Sequence, residues 1–138
     1  MRSLLWLTAF VVVIAGCNNS KEGKVTTKVN RIFLRTDSIN VVKLSDTMLI
    51  YESICRGCKY ESSVRFEISD SLAVVKLQDV ITNDSNPDGM SGGNVGKELV
   101  LVPAKAGNTN IKLYKFLSPE TAKEDSARFQ VYTIEVKN

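Results

Sequence analysis

The 138-residue sequence predicts an all-β protein, an antiparallel β-sandwich of seven or eight short strands. Three observations carry this expectation. From Val25 onward, short segments rich in β-branched and apolar residues recur, separated by Asp, Asn, Ser, Gly and Pro. Within the clearest of them Val64, Phe66 and Ile68 alternate with Arg65, Glu67 and Ser69, a period of two that gives one buried face and one wet face. Finally, no segment of the same region carries an apolar stripe at helical spacing.

Taken in order, Val25-Thr26-Thr27-Lys28-Val29 and Ile32-Phe33-Leu34 open the series. Residues 39–44 and 47–51 follow, separated by the turn Ser45-Asp46. After the alternating 64–68 segment, Ser69-Asp70-Ser71 is a turn. Residues 72–81 are apolar with Lys76, Gln78 and Asp79 interspersed, the pattern of a strand with a bend or bulge. Leu99-Val100-Leu101-Val102 is continuous, as a core strand is, and residues 103–107 turn into a strand holding Ile111, Leu113 and Phe116. In the last strand Phe129 and Val131 lie on one face and Tyr132, Ile134 and Val136 on the other, so both faces are expected to be partly covered. Ser118 and Pro119 offer a cap and first position for a helix over 118–125, which for want of an apolar stripe is expected to be one surface turn. Residues 83–96 form one long loop, and such a loop on a compact domain is functional or disordered.

Ahead of this region stands a different kind of sequence. Arg2 is followed by an apolar run over 4–14, then Ala15, Gly16 and Cys17, and then the polar Asn18-Asn19-Ser20-Lys21. That is the layout of a secretory signal, too short to span a bilayer core, which needs about 20 apolar residues. Ile14-Ala15-Gly16-Cys17 resembles the bacterial lipobox. The resemblance implies cleavage before Cys17, attachment of a diacylglyceryl group to it, and a lipid-anchored lipoprotein of the cell envelope. Asn18, rather than Asp, points to the outer membrane by the enterobacterial analogy. The expected division is signal peptide 1–16, lipidated Cys17 with a short tether to residue 24, and a sandwich domain over 25–138.

Without residues 1–16 the chain keeps 17 basic and 15 acidic residues. This near balance, with no dense basic run, argues against nucleic acid as a partner. The chain has no histidine, which removes the commonest general base, the commonest metal ligand and every Ser-His or Cys-His pair. No set of residues assembles a catalytic constellation, so the chain is read as a non-enzyme with no cofactor and no metal.

Cys55-Arg56-Gly57-Cys58 admits three readings. Zinc needs four ligands, and the chain lacks the histidines and further free cysteines to complete them. A thioredoxin-like redox pair needs a helix start in a βαβ setting, whereas strands flank this one. A structural disulfide tightening a loop suits both an exported protein and the tight turn that Arg56-Gly57 permits. Asp84 and Asp88 suggest calcium, yet the segment lacks the spacing and distal Glu of such a loop. Ser91-Gly92-Gly93 lacks the Gly-Lys-Ser/Thr ending of a phosphate cradle.

From about Thr47 to the end the order of features resembles the chagasin family of cysteine-peptidase inhibitors. The family has an Asn-Pro-Thr-Thr-Gly-Tyr loop after an early strand; residues 53–60 stand there, with Tyr60 matching the closing Tyr. Its Gly-rich loop corresponds to Met90-Ser91-Gly92-Gly93-Asn94-Val95-Gly96, before the strand at 99–102 and the turn at 103–109. Its third loop carries Arg-Pro-Trp; residues 116–125 occupy that place, with Pro119 the match. The resemblance implies an immunoglobulin-like sandwich that inserts three loops from one end into a papain-type cleft. Arg56, Gly57, Tyr60, Met90, Ser91, Gly92, Gly93 and Pro119 are then the expected partner-binding residues, and a cysteine peptidase or another envelope protein the partner. The chain departs from the family in the Cys-containing loop and in having no Trp after Trp6. Two other functions compete: a generic immunoglobulin-like assembly or adhesion module, and a thiol-redox lipoprotein using Cys55 and Cys58.

Overall fold

The computed structural model describes residues 30–85 and 92–138. The expected signal peptide, Cys17, the tether, the first expected strand at 25–29, Asp88, Met90 and Ser91 lie outside the described residues.

Among the described residues, eight strands form two four-stranded sheets that face each other across one core. They are β1 (Arg31–Phe33), β2 (Ile39–Lys43), β3 (Thr47–Cys55), β4 (Arg65–Ser69), β5 (Val75–Asn83), β6 (Asn94–Pro103), β7 (Gly107–Phe116) and β8 (Phe129–Lys137). One sheet has the order β1-β3-β6-β5 and the other β2-β8-β7-β4. The sandwich is antiparallel except at two edges, where β1 runs parallel to β3 and β2 parallel to β8. Residues 34–38 carry the chain from the first sheet to the second. Asn40 fixes that crossing: it accepts from the Arg35 N–H and donates to the carbonyls of Arg35 and Thr133.

The inward positions are those that alternation marks. Val42, Met48, Ile50, Leu99, Leu101, Ile111, Leu113, Tyr132, Ile134 and Val136 are buried and form one cluster between the sheets. Ile32, Phe66, Ile68, Leu77 and Val80 pack against its margin. Each fully buried side chain of this size stabilises the fold by roughly 1.5–3 kcal/mol.

Four details correct the expectations. β5 begins at Val75, because Leu72 and Ala73 belong to the preceding turn, and its bulge falls between Leu77 and Asp79. β6 begins at Asn94, five residues before the apolar run, because its first half pairs with β3 on one side and β5 on the other. Thr121, not Ser118, stands at the start of a short helix, α1 (Ala122–Asp125). Along β8 only the Tyr132, Ile134, Val136 face is buried; Phe129 and Val131 are 44% and 40% exposed on the outer face.

Candidate functional site

Strand directions decide which connections share an end of the sandwich. β3 ends at Cys55 opposite Asn94, where β6 begins, and β5 ends at Asn83 opposite Gly96. β4 begins at Arg65 opposite Phe116, where β7 ends, and β8 begins at Phe129 opposite Tyr114. The β3–β4, β5–β6 and β7–β8 connections therefore lie together at one end. The opposite end holds the β2–β3, β4–β5 and β6–β7 turns. It also receives the incoming chain, since the Thr47 N–H at the start of β3 donates to the Asn30 carbonyl. β3 is nine residues long, so roughly 30 Å separates the two ends.

The β3–β4 connection, residues 56–64, is the middle element of the loop end and touches both others. Gly57, at φ 72°, takes the left-handed conformation the turn needs. Its N–H donates to the Glu61 carboxylate, while Glu61, Ser63 and Val64 N–H groups close successive turns on Cys58 and Tyr60 carbonyls. Cys55 and Cys58 sit at disulfide distance, with Cα atoms 5.6 Å apart, inside the usual range for a bridge. Toward the β5–β6 loop, the Arg56 N–H donates to the Gly93 carbonyl at 3.0 Å, and the Arg56 guanidinium pairs with Asp84. Gly92 and Gly93 hold φ 94° and 80° there, conformations that favour glycine.

Toward the β7–β8 connection, the Ser63 hydroxyl donates to the Leu117 carbonyl at 2.6 Å. Lys115, the penultimate residue of β7, donates to the Ser53 carbonyl at 2.6 Å and pairs with Glu52. Glu52 also accepts from Gln130, whose amide oxygen accepts from Tyr132. Burial, with the Glu52 charge second, pushes the Tyr132 hydroxyl up from its ordinary value. The β7–β8 connection is organised by the buried carboxylate of Asp125, which accepts from the Leu117 N–H and the Thr121 hydroxyl, each at 2.8 Å. Those bonds, the Leu117 N–H foremost, hold the Asp125 carboxyl below the usual carboxylate range.

Two hollows flank the β3–β4 loop. One, of 230 Å³, lies between it and the end of β7, lined by Ser53, Cys58, Tyr60, Val64 and Leu117. The other, of 410 Å³, lies between it and β5–β6, lined by Gly57, Cys58, Glu61, Asp84 and Lys97. Cys58 forms part of both walls. Of the expected partner-binding residues, Arg56, Gly57, Tyr60, Gly92, Gly93 and Pro119 all lie on this end. Gly57, Gly92, Gly93 and Pro119 are exposed, whereas Tyr60 is half-buried under Lys59, whose Nζ is 5.1 Å from its ring. Sequence reading missed Glu52, Glu61, Lys115 and Asp125 as the groups that tie the loops. Only Asp125 left a signal, as an acidic residue four positions after a Thr beside a candidate helix start. Among the described residues no group of three or more Cys, Asp or Glu is placed to hold a metal ion, and no helix is long and apolar enough to cross a membrane.

The sequence matches no protein family, and no curated protein is significantly similar to it. Solved structures do share the fold. A cysteine protease inhibitor from Entamoeba histolytica, EhICP2, is 19% identical, with a TM-score of 0.55 over 79% of this chain and 96% of its own. The solution structure of amebosin is 12% identical, with a TM-score of 0.50 over 79% of this chain and 96% of its own. At these identities the likeness is one of fold.

Proposed function

We propose that this protein is a non-enzymatic, lipid-anchored component of the cell envelope that binds and inhibits papain-type cysteine peptidases. Cys17 carries the lipid, the outer membrane holds it, and the 25–138 domain presents its loop end to the peptidase. The observation that carries this reading is the gathering of residues 56–64, 84–85, 92–93 and 117–128 at one end of the sandwich. The likeness of the fold to that of a cysteine protease inhibitor supports it. The entry of the chain at the other end supports it too, since an anchor on that side leaves the loops facing away from the membrane.

Two experiments test it. The full chain, purified in detergent, is titrated into a papain-type peptidase; inhibition at or below micromolar concentration is expected. Its absence would leave a generic immunoglobulin-like assembly module. In cells, incorporation of an alkynyl fatty acid should disappear with Cys17→Ala, and the labelled protein should fractionate with the outer membrane. Labelling that survives the substitution rejects the anchor.

A further inference from the structure

The middle loop of the proposed inhibitory end carries a chemical group that non-covalent docking does not use. Cys55 and Cys58 are both exposed, at disulfide distance, in a connection that touches the other two loops. The two sulfurs differ in setting. Cys55 ends β3 and is registered opposite Asn94 in the β3–β6 ladder, so its backbone is fixed. Cys58 sits in the turn beyond the strand and forms part of the wall of both hollows, whereas Cys55 lines only the smaller one, so Cys58 is approachable from two sides and Cys55 from one. A partner whose nucleophile is itself a thiolate therefore meets an exposed disulfide at the centre of the contact.

We propose, resting on the inhibitor reading, that the Cys55–Cys58 bridge is a thiol-exchange site for the cysteine peptidase it meets. The peptidase thiolate attacks Cys58 Sγ, a bond forms between those two sulfurs, and the Cys55–Cys58 bond breaks. Its electron pair leaves on Cys55, which takes a proton from water. The peptidase cysteine is oxidised to the mixed disulfide, Cys55 is reduced to the thiol, and no further oxidant is required. Return attack by Cys55 reverses the step, so the covalent stage is a slow, reversible tightening of a complex already formed. Selectivity follows from acidity. A catalytic cysteine paired with a cationic partner is thiolate in mild acid, whereas an ordinary thiol at pH 6 is only about 0.3% thiolate. At that pH the bridge exchanges with the peptidase and is spared by small thiols.

The test mixes full chain and thiol-activated peptidase, freed of reductant, at pH 6. The reaction is quenched in acid, alkylated with N-ethylmaleimide, and read by intact mass and non-reducing gel. A species with the summed mass of both chains and one maleimide on Cys55 is expected, removed by dithiothreitol. Cys55→Ser/Cys58→Ser should inhibit at once but lose both the adduct and the time-dependent phase. Because return attack shortens the life of the adduct, a second measurement uses Cys55→Ser with Cys58 preloaded with 5-thio-2-nitrobenzoate. The peptidase should release the chromophore faster from it than from Cys58→Ser preloaded at Cys55. Inhibition with no adduct and equal release from the two positions overturns this proposal and leaves the inhibitor reading intact. Loss of inhibition by every form overturns both.

Discussion

The two ends of the sandwich are closed by different means. At the end where the chain enters, turns are short: a single carboxylate grips nearby backbone in the β2–β3 and β4–β5 turns, and in the β6–β7 turn the Ala104 N–H donates to the Val74 carbonyl. Asp46 accepts from the Lys43 N–H. Asp70 accepts from the N–H groups of Leu72, Val74 and Val75 and from the Thr109 hydroxyl. At the loop end the connections are longer; Glu61 and Asp125 grip nearby backbone there as well, but further ties join the connections to groups far along the chain: Arg56 to Asp84, Lys115 to Ser53, Ser63 to Leu117. One end is built for stability at low loop-closure cost. The other spends its bonds on fixing the relative positions of three loops, which is what a recognition surface requires.

Asp70→Ala should give the largest loss of stability among the changes considered at the two ends. Four donors lose a charged acceptor worth about 1.5–3 kcal/mol each, and water replaces most but not all of them, leaving a net cost of about 3 kcal/mol. The change is read from urea unfolding, and peptidase inhibition by the folded fraction should not move. A loss under about 1 kcal/mol would break the contrast drawn between the ends.

Lys115→Met is the counterpart at the loop end. It removes the donor to the Ser53 carbonyl and the partner of the largely buried Glu52, at an expected cost of about 1.5 kcal/mol. Unlike Asp70→Ala it should also weaken inhibition, because the end of β3 loses its tie to the end of β7 and only the Ser63–Leu117 bond still joins the two connections. Unchanged inhibition would mean that the loops hold their places without it. The bridge is weaker still as a staple. Cys55 and Cys58 are three positions apart, so the ring is small, and Cys55→Ser/Cys58→Ser should cost about 1 kcal/mol, under the typical 2–4 kcal/mol. Faster amide exchange confined to 56–64 and 92–93 is expected; exchange rising evenly across both sheets would show the bridge to be a pillar of the whole fold.

The same contrast explains what the sequence reveals. Alternation exposed β4 and the buried face of β8, and the apolar run exposed the centre of β6, because burial imposes those patterns locally. The first half of β6 is hidden in the sequence, since Asn94 and Gly96 read as loop. Gly96 pairs with both Ser53 and Asn83 in the ladder, and this strand position is glycine because Tyr51 lies across it: a Cβ there would come within 2.7 Å of the Tyr51 hydroxyl. Asp70 was legible as a turn former, as its grip spans at most five residues apart from Thr109. The ties at the loop end join residues 28, 54 and 62 positions apart. No local period marks such pairs, so the residues that order the candidate site emerge only when the strands bring them together. The cysteine pair was legible because both partners fall within one turn.

Acid should separate the two ends by the smallest effect. Burial raises the Asp70 carboxyl, but the bonds from Thr109 and from the N–H groups of Val75, Leu72 and Val74 outweigh it and leave it below its ordinary value of 3.8. Asp125 is depressed too, first by the Leu117 N–H and then by the Thr121 hydroxyl. A carboxyl lowered in the folded state stabilises fully above its unfolded value, near 4, and loses that contribution as pH falls through the folded value. Both ends should therefore weaken only below about pH 4. Asp70 links a turn to β7, so Asp70→Asn should flatten the acid limb of global unfolding. The bonds of Asp125 stay within 117–125, so Asp125→Asn should leave that limb unchanged and abolish only the acid-induced rise in proteolysis at 117–128. If Asp125→Asn instead flattens the global limb, the β7–β8 connection is part of the cooperative core, and the loop end is as firmly built as the end where the chain enters.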